Sequence, residues 1–304
     1  MDGILLMHKP QNFTSFDVVA KLRGILRTKK LGHAGTLDPM ATGVLPVFVG
    51  SATKACNLLP DSDKTYIASL RLGLTTDTQD IWGRVTATCS HSVTAAQFRA
   101  AAARFNGEVT QLTPMFSAVK VDGQRLYDIA RKGGEVERPT RTVFIHSLTV
   151  LNEDEQAGEY TIEVSCSKGT YIRTLCNDIG ESLGCGAVMT SLVRTKAAGF
   201  MLNDCLTFDD VQQLMEEETL AGQLIPVEQA FMSLPSVRLS EEDTRRFKNG
   251  VKLDIVALTL SFTEENIRVY GFNGEFIGLG YIDKDTQLLR VRTLFGNNLS
   301  EKLK

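Results

Sequence analysis

Residues 32–39, Gly-His-Ala-Gly-Thr-Leu-Asp-Pro, put a single carboxylate, Asp38, at the end of a loop whose glycines allow backbone to come close to a ligand. An aspartate held there can serve as nucleophile or base near neutral pH. Pro39 suits the first position of a short helix, with Asp38 as its N-cap and Gly43 ending it; free N–H groups would then favour the charged carboxylate. An ordinary helix cap has the same pattern. His33 can bind a phosphate or a sugar hydroxyl, or simply hydrogen-bond within its loop.

Two further segments pair an aromatic ring with a cation. Ser167-Lys168-Gly169-Thr170-Tyr171-Ile172-Arg173 places a phenol and a guanidinium two residues apart between a strand and a helix, where both can look into one cleft. Lys64-Thr65-Tyr66 repeats the pairing at a strand start, an arrangement that can neutralise a backbone phosphate and hold an unstacked base. A surface arginine, a half-buried tyrosine and a core aromatic are the plain structural readings of the same residues. No G-x-x-x-x-G-K-[ST] and no G-x-G-x-x-G run is present, which argues against a nucleotide-cofactor enzyme.

The elements that would carry these residues can be read from pattern. A strand is expected at Gly3–Met7, stopped by Pro10, then a helix capped by Thr14 and Asp17 with Phe16, Val19, Leu22 and Leu26 as its apolar stripe. Val44 to Val49 reads as a buried strand. Lys64 to Gly73 alternates as a strand, with Tyr66, Ala68, Leu70 and Leu72 on one face. Thr94 and Gln97 form a capping box, Leu126–Lys132 and Ile172–Leu183 read as helices ended by glycines, and 143–151 and 160–166 as strands. An acidic helix follows Thr207 and leads to a connection bounded by Pro226 and Pro235. Beyond it come one helix near Glu241–Lys248 and short strands around 255–262, 267–272, 275–282 and 287–294.

The chain has 304 residues, 43% of them hydrophobic, enough for one or two domains with cores of their own. Six scattered cysteines without a C-x-x-C pair and four dispersed histidines point to no structural zinc site. Ile4 to Met7 is too short an apolar run for a signal peptide or a span, which places the protein in the cytoplasm, away from membranes. The net charge of −3 is unevenly spread: residues 1–150 carry 18 Lys and Arg against 12 Asp and Glu, and the remainder 15 against 24. Such asymmetry permits a local positive surface for a polyanion.

The order of motifs closely resembles the bacterial TruB-type tRNA pseudouridine 55 synthase family. Gly32 to Pro39 continues through Ala41-Thr42-Gly43-Val44-Leu45 to Gly50; Lys9-Pro10 with Thr14-Ser15, Pro114 to Lys120 with Gly123 and Leu126-Tyr127, Ser167 to Leu175, and Leu192-Val193-Arg194-Thr195 follow the family pattern. Asn12 stands where the family usually has glycine, a replacement that left-handed backbone tolerates. The resemblance implies an α+β fold: a pseudouridine synthase catalytic domain over residues 1–235 around a mixed, mainly antiparallel sheet, with a PUA-like RNA-binding domain over 236–304. It implies conversion of uridine 55 to pseudouridine in the T-loop of tRNA, with Asp38, Tyr66, Tyr171 and Arg173 catalytic and His33, Leu192, Lys9 and Lys64 binding substrate. Arg173 would pair with Asp38, Tyr66 stack on the uracil, Leu192 line its pocket and His33 fill the space left in the RNA loop. No cofactor, metal or obligate protein partner is expected, and a monomer is. Two rivals remain at this point. One is a glycoside hydrolase, which would need a second carboxylate such as Asp77 or Asp178 facing Asp38; the other is a noncatalytic tRNA-binding or folding protein.

Overall fold

The computed structural model describes residues 1–60, 63–254, 266–283 and 285–296. Its main sheet contains β1 (Gly3–Lys9), β2 (Leu31–His33), β3 (Thr42–Val49), β4 (Lys64–Leu72), β5 (Gly107–Leu112), β6 (Thr140–Asp154), β7 (Glu159–Cys166), β8 (Ala187–Ala197) and β9 (Phe200–Met201). The strands lie in the order β1-β3-β8-β4-β7-β6-β5, with β2 beside β3 and β9 beside β8. Every pairing is antiparallel except β3 with β8, where Thr42 meets Val193 and Gly43 meets Arg194. The sheet is therefore mixed and mainly antiparallel.

Five helices matter for its packing: α1 (Ser15–Ile25), α2 (Ala95–Ala103), α3 (Leu126–Arg131), α4 (Ile172–Ser182) and α5 (Phe208–Glu216). Thr14 and Asp17 close a reciprocal capping box on α1, and Thr94 and Gln97 do the same on α2, satisfying N–H groups that each helix start leaves open. The inward face of β4, Tyr66, Ala68, Leu70 and Leu72, packs with Phe98 of α2 and Leu175 and Ile179 of α4 in one core. A second core joins β1 and β3 to Val18, Val19 and Leu22 of α1 and Val211 of α5.

Three local expectations give way to tertiary context. Phe16 is not on the core face of α1: it is exposed beside Arg23, and Val18 is buried instead. The segment after Lys30 is not all loop, because Leu31–His33 pairs with Val49, Phe48 and Val47 of β3. Nor does a helix begin at Pro39. The Ala41 N–H reaches Asp38 O at 3.1 Å, making a single turn that feeds directly into β3. Proline's fixed φ fits the second position of such a turn as well as the start of a helix, and pairing with β1 and β8 decides for the strand.

Residues beyond Pro235 form a sheet of their own in the order β10 (Ser236–Arg238), β12 (Ile267–Tyr270), β13 (Phe276–Asp283), β14 (Leu288–Leu294), β11 (Leu253–Asp254), with helix α6 (Glu241–Lys248). Val237, Phe247, Ile267, Val269 and Leu289 make its core. Leu279 and Phe295 pack with Phe231, Ile4 and Phe48, joining this sheet to the back of the larger one. The strand expected at 255–262 lies outside the described residues.

Gly43 sits inside β3 at φ +112°, and a Cβ there would stand 2.2 Å from the Arg194 carbonyl oxygen. Gly43→Ala is therefore expected to destabilise the protein by more than about 3 kcal/mol, through backbone strain and the forced parting of β3 from β8, as read by urea denaturation.

Candidate active site

Asp38 lies in the turn ahead of β3, with its side chain 37% exposed. Its carboxylate Oδ2 is 3.2 Å from Nε of Arg173, a residue of the first turn of α4. The Nε–H is not aligned on that oxygen, so the contact is a charge pair rather than a directed hydrogen bond. The rest of the guanidinium is committed to protein: Nη2 donates to Phe116 O at 2.8 Å and Nη1 to Thr78 O at 3.3 Å, and Nη1 stands 3.9 Å from Asp80 Oδ2. A nearly buried cation thus faces one open carboxylate and one enclosed one. Asp80 accepts from the Thr78 hydroxyl and the Trp82 N–H through Oδ1; burial raises its pKa, with those donors and Arg173 opposing.

Tyr66 and Leu192 reach the same region from neighbouring strands. Antiparallel register sets Arg194 opposite Tyr66 and Leu192 opposite Ala68. Tyr66 and Leu192 are buried with Leu37, Met40 and Ile172, so the residues flanking Asp38 on the loop form part of the same apolar wall. Burial pushes the Tyr66 hydroxyl upward in pKa, opposed by the Arg194 guanidinium that it faces. Tyr171, just ahead of α4, has both backbone groups fixed by the fully buried Gln111 amide, at 3.0 Å for its N–H and 3.1 Å for its carbonyl. The Arg141 guanidinium lies 5.1 Å from the centre of the Tyr171 ring.

Lys9 and Lys64 are placed differently. Lys9 is fully enclosed, and its Nζ donates to the carbonyls of Phe13 (2.6 Å), Pro10 (2.9 Å) and Pro39 (3.4 Å). Burial lowers its pKa to about 8, with the Asp38 charge working the other way. Asn12 adopts φ +68° and gives its N–H to Pro39 O at 2.9 Å, while Ser15 Oγ accepts the Leu37 N–H at 2.9 Å. The turn between β1 and α1 therefore holds the Leu37–Pro39 backbone from below, and Asn12 takes the left-handed conformation that glycine would fill. Lys64 begins β4, with its chain alongside Gly35.

His33 is partly buried at the end of β2, and burial together with the Arg194 charge lowers its pKa. It is thus neutral at physiological pH and available as a flat polar ring rather than a cation.

Three residues that sequence reasoning did not single out for a role complete the arrangement: Asp80, Gln111 and Arg194. Arg194 is fully buried, with Nε donating to Val44 O and Nη2 to Gly35 O, both at 2.8 Å, and so it ties the loop bearing Asp38 to β8. One signal was available for it, since a charged residue two places after Leu192 falls on the same inward face of a strand. Nothing in the local pattern separates Asp80 from Asp77, which instead pairs with Arg84. Among the described residues, no group of three or more His, Cys, Asp or Glu side chains is placed to hold a metal ion. No helix there is long and apolar enough to cross a membrane.

This fold is shared with a solved chain from a Cbf5-Nop10-Gar1 complex, at a TM-score of 0.76 and 25% identity, over 97% of this chain and 85% of that one. Residues 23–172 match the TruB family pseudouridylate synthase N-terminal domain, 173–232 the tRNA pseudouridylate synthase B C-terminal domain, and 235–294 the pseudouridine synthase II TruB C-terminal region. The tRNA pseudouridine synthase B of Clostridium kluyveri is 41% identical over 96% of this chain and 99% of that protein. Its counterpart in Geobacillus thermodenitrificans is 44% identical over 84% and 87%. The architecture is that of the pseudouridine synthases. The chain belongs to their TruB family.

The lowered pKa of His33 has a consequence for stability. The unfolded chain takes up the proton near the ordinary value of 6.5, and the folded chain only at lower pH, so acidification through this window favours unfolding. Above it the group contributes no such bias. His33→Gln should therefore lose less stability than wild type between about pH 7.5 and pH 5 in urea denaturation; equal losses would assign the acid sensitivity elsewhere.

Proposed function

We propose that this protein converts uridine 55 of the tRNA T-loop to pseudouridine, with Asp38 as the catalytic carboxylate. The observation that carries the reading is the Asp38–Arg173 pair, an exposed acid held at 3.2 Å by a nearly buried guanidinium from a segment 135 positions further along the chain. Relatives named tRNA pseudouridine synthase B add weight, one matching almost end to end and another over 84% of this chain.

The target uridine leaves the stacked RNA loop and enters the cleft between Asp38, Tyr66 and Leu192. Breaking the bond from N1 of uracil to C1′ of ribose releases an anionic base and an electron-poor sugar. Asp38 either attacks C1′ or removes the C2′ proton, and both routes need the ionised carboxylate that Arg173 orients. The apolar wall of Tyr66, Leu192 and Leu37 lets the freed ring turn without fixed hydrogen bonds, so that C5 can join C1′. As C5 joins C1′, the Asp38–C1′ ester bond breaks on the first route, or Asp38 returns the proton to C2′ on the second. The C5 proton is then lost and one is gained at N1, leaving the composition unchanged, and Tyr171 stands as the group assisting removal of the C5 proton. His33 fills the space that the displaced bases leave, and Lys64 contacts the backbone beside Gly35. Lys9 acts from beneath, through Pro39.

A glycoside hydrolase would place a second, protonatable carboxylate across the bond from the first. Asp80 is the acid nearest this role, but Oδ1 is taken up by Thr78 and Trp82, and Oδ2 faces the cation that it shares with Asp38. It is engaged in holding Arg173. Isomerisation is the better fit.

Residues 1–235 form the catalytic domain in this reading and 236–304 a PUA-like RNA-binding domain, supported by the separate core of the smaller sheet. The protein works in the cytoplasm as a single chain, with the T-arm of tRNA as its partner and no cofactor.

Asp38→Asn should bind unmodified tRNA transcript within about threefold of wild type while conversion at position 55 falls at least about a thousandfold, measured by position-resolved pseudouridine detection. Unchanged yield from the variant would sink the assignment. Arg173→Lys keeps the charge but replaces a fork spanning two carboxylates and two carbonyls with one ammonium, so turnover should drop about a hundredfold. Wild-type rates in that variant would remove Arg173 from the mechanism.

A further inference from the structure

Trp82 is the only tryptophan in the chain, and it lies about half exposed on the turn between Thr76 and Val85. Large exposed aromatic rings are uncommon on surfaces that only meet water, and Trp concentrates where another molecule covers it. Among the described residues its indole has no aromatic or cationic contact. Ile81 and Val85, on either side, are also exposed.

The backbone beneath this ring is fixed rather than loose. The Trp82 N–H donates to Asp80 Oδ1 at 3.0 Å, the Ile81 N–H to Met189 O of β8 at 2.9 Å, and the Gly83 N–H to Asp80 O at 3.1 Å. Gly83 is packed so closely that a Cβ would stand 2.2 Å from Thr78 Oγ1. Ordering this turn therefore costs binding little, because it is already ordered. The carboxylate that anchors Trp82 is also the one facing Arg173, which faces Asp38. The Trp82 backbone is thus three polar contacts from Asp38, and Met189, which holds Ile81, is three residues from Leu192 on the same strand.

We propose that Trp82 is a base-stacking contact for the substrate RNA, taking an unpaired base next to the nucleotide that enters the cleft. The inference rests on the RNA-modifying reading above. Extruding a target from a stacked loop strips its neighbours of a stacking partner, and an exposed indole on this fixed turn can replace it. Every base presents a π-face, so the contact adds grip without reading sequence.

A sole tryptophan makes the test direct. Full-length wild-type protein is titrated with an unmodified tRNA transcript while intrinsic fluorescence is followed, and the same preparation is assayed for pseudouridine. Stacking should quench the emission by about half or more, and a transcript of the T-stem lacking its loop should leave it unaltered. Trp82→Ala should weaken tRNA binding about tenfold and Trp82→Phe no more than about threefold, the aromatic replacement restoring the platform. Conversion by wild type without quenching, or equal affinity of Trp82→Ala, overturns the stacking role and leaves the activity standing. A wild-type protein that neither binds nor converts the transcript overturns the underlying reading as well. Quenching that depends on protein concentration without RNA would identify a second copy of the chain as the cover, and would overturn the proposal.

Discussion

The Arg173 guanidinium is the point on which the site depends. It stands in the first turn of α4, nearly without solvent, and meets four groups on three separate stretches of chain: the Asp38 carboxylate, the Thr78 carbonyl and Asp80 carboxylate of one turn, and the Phe116 carbonyl. A cation removed from water this far is costly unless charges and acceptors surround it. Here two acids and two carbonyls do so, and the arrangement is asymmetric. Asp80 is enclosed and fully engaged, whereas Asp38 is left open on one side. The interaction that stabilises Arg173 is the one that aims Asp38.

Around that pair, buried side chains and, at Asn12, a backbone N–H act on the surrounding backbone. Lys9 and Asn12 meet at Pro39 O, Ser15 holds the Leu37 N–H, Arg194 holds the carbonyls of Gly35 and Val44, and Gln111 holds Tyr171. A loop fixed by its own peptide groups tolerates an open carboxylate at its tip, because its shape does not depend on that side chain. This explains how a segment with two glycines and a proline can present Asp38 in a definite place without a helix beneath it.

Much of the scaffold was legible from local pattern because local physics formed it. The capping boxes at Thr14 and Thr94 and the alternation of β4 each satisfy backbone groups or bury a face within a few residues. The Asp38–Arg173 pair could be named only from the family resemblance, since a separation of 135 positions hides it from any local rule. The turn at Pro39, the burial of Val18 in place of Phe16, and the positions of Asp80, Gln111 and Arg194 were not legible. For the helix face the packing of α1 on β1, β3 and α5 decided the outcome, and for the others the pairing and packing of distant segments did, which join residues whose sequence neighbourhoods carry little trace of one another. Arg194 is the nearest to an exception: its place two residues after Leu192 puts it on the inward face, but only the pairing with Tyr66 and Gly43 shows why a full charge is buried there.

The parallel seam between β3 and β8 also sets an order in time. Its two register pairs unite Thr42 and Gly43 with Val193 and Arg194, and the close approach at Gly43 leaves no room for a looser first version of the contact. On a ribosome extending the chain at about 5–20 residues per second, roughly 7 to 30 seconds separate the appearance of Asp38 from that of β8. Through that interval the nascent loop can have the contacts from Lys9, Asn12 and Ser15 but lacks both Arg173 and Arg194, so its carboxylate is without the cation that faces it in the finished fold. The last of these constraints comes with the strand that closes the middle of the sheet.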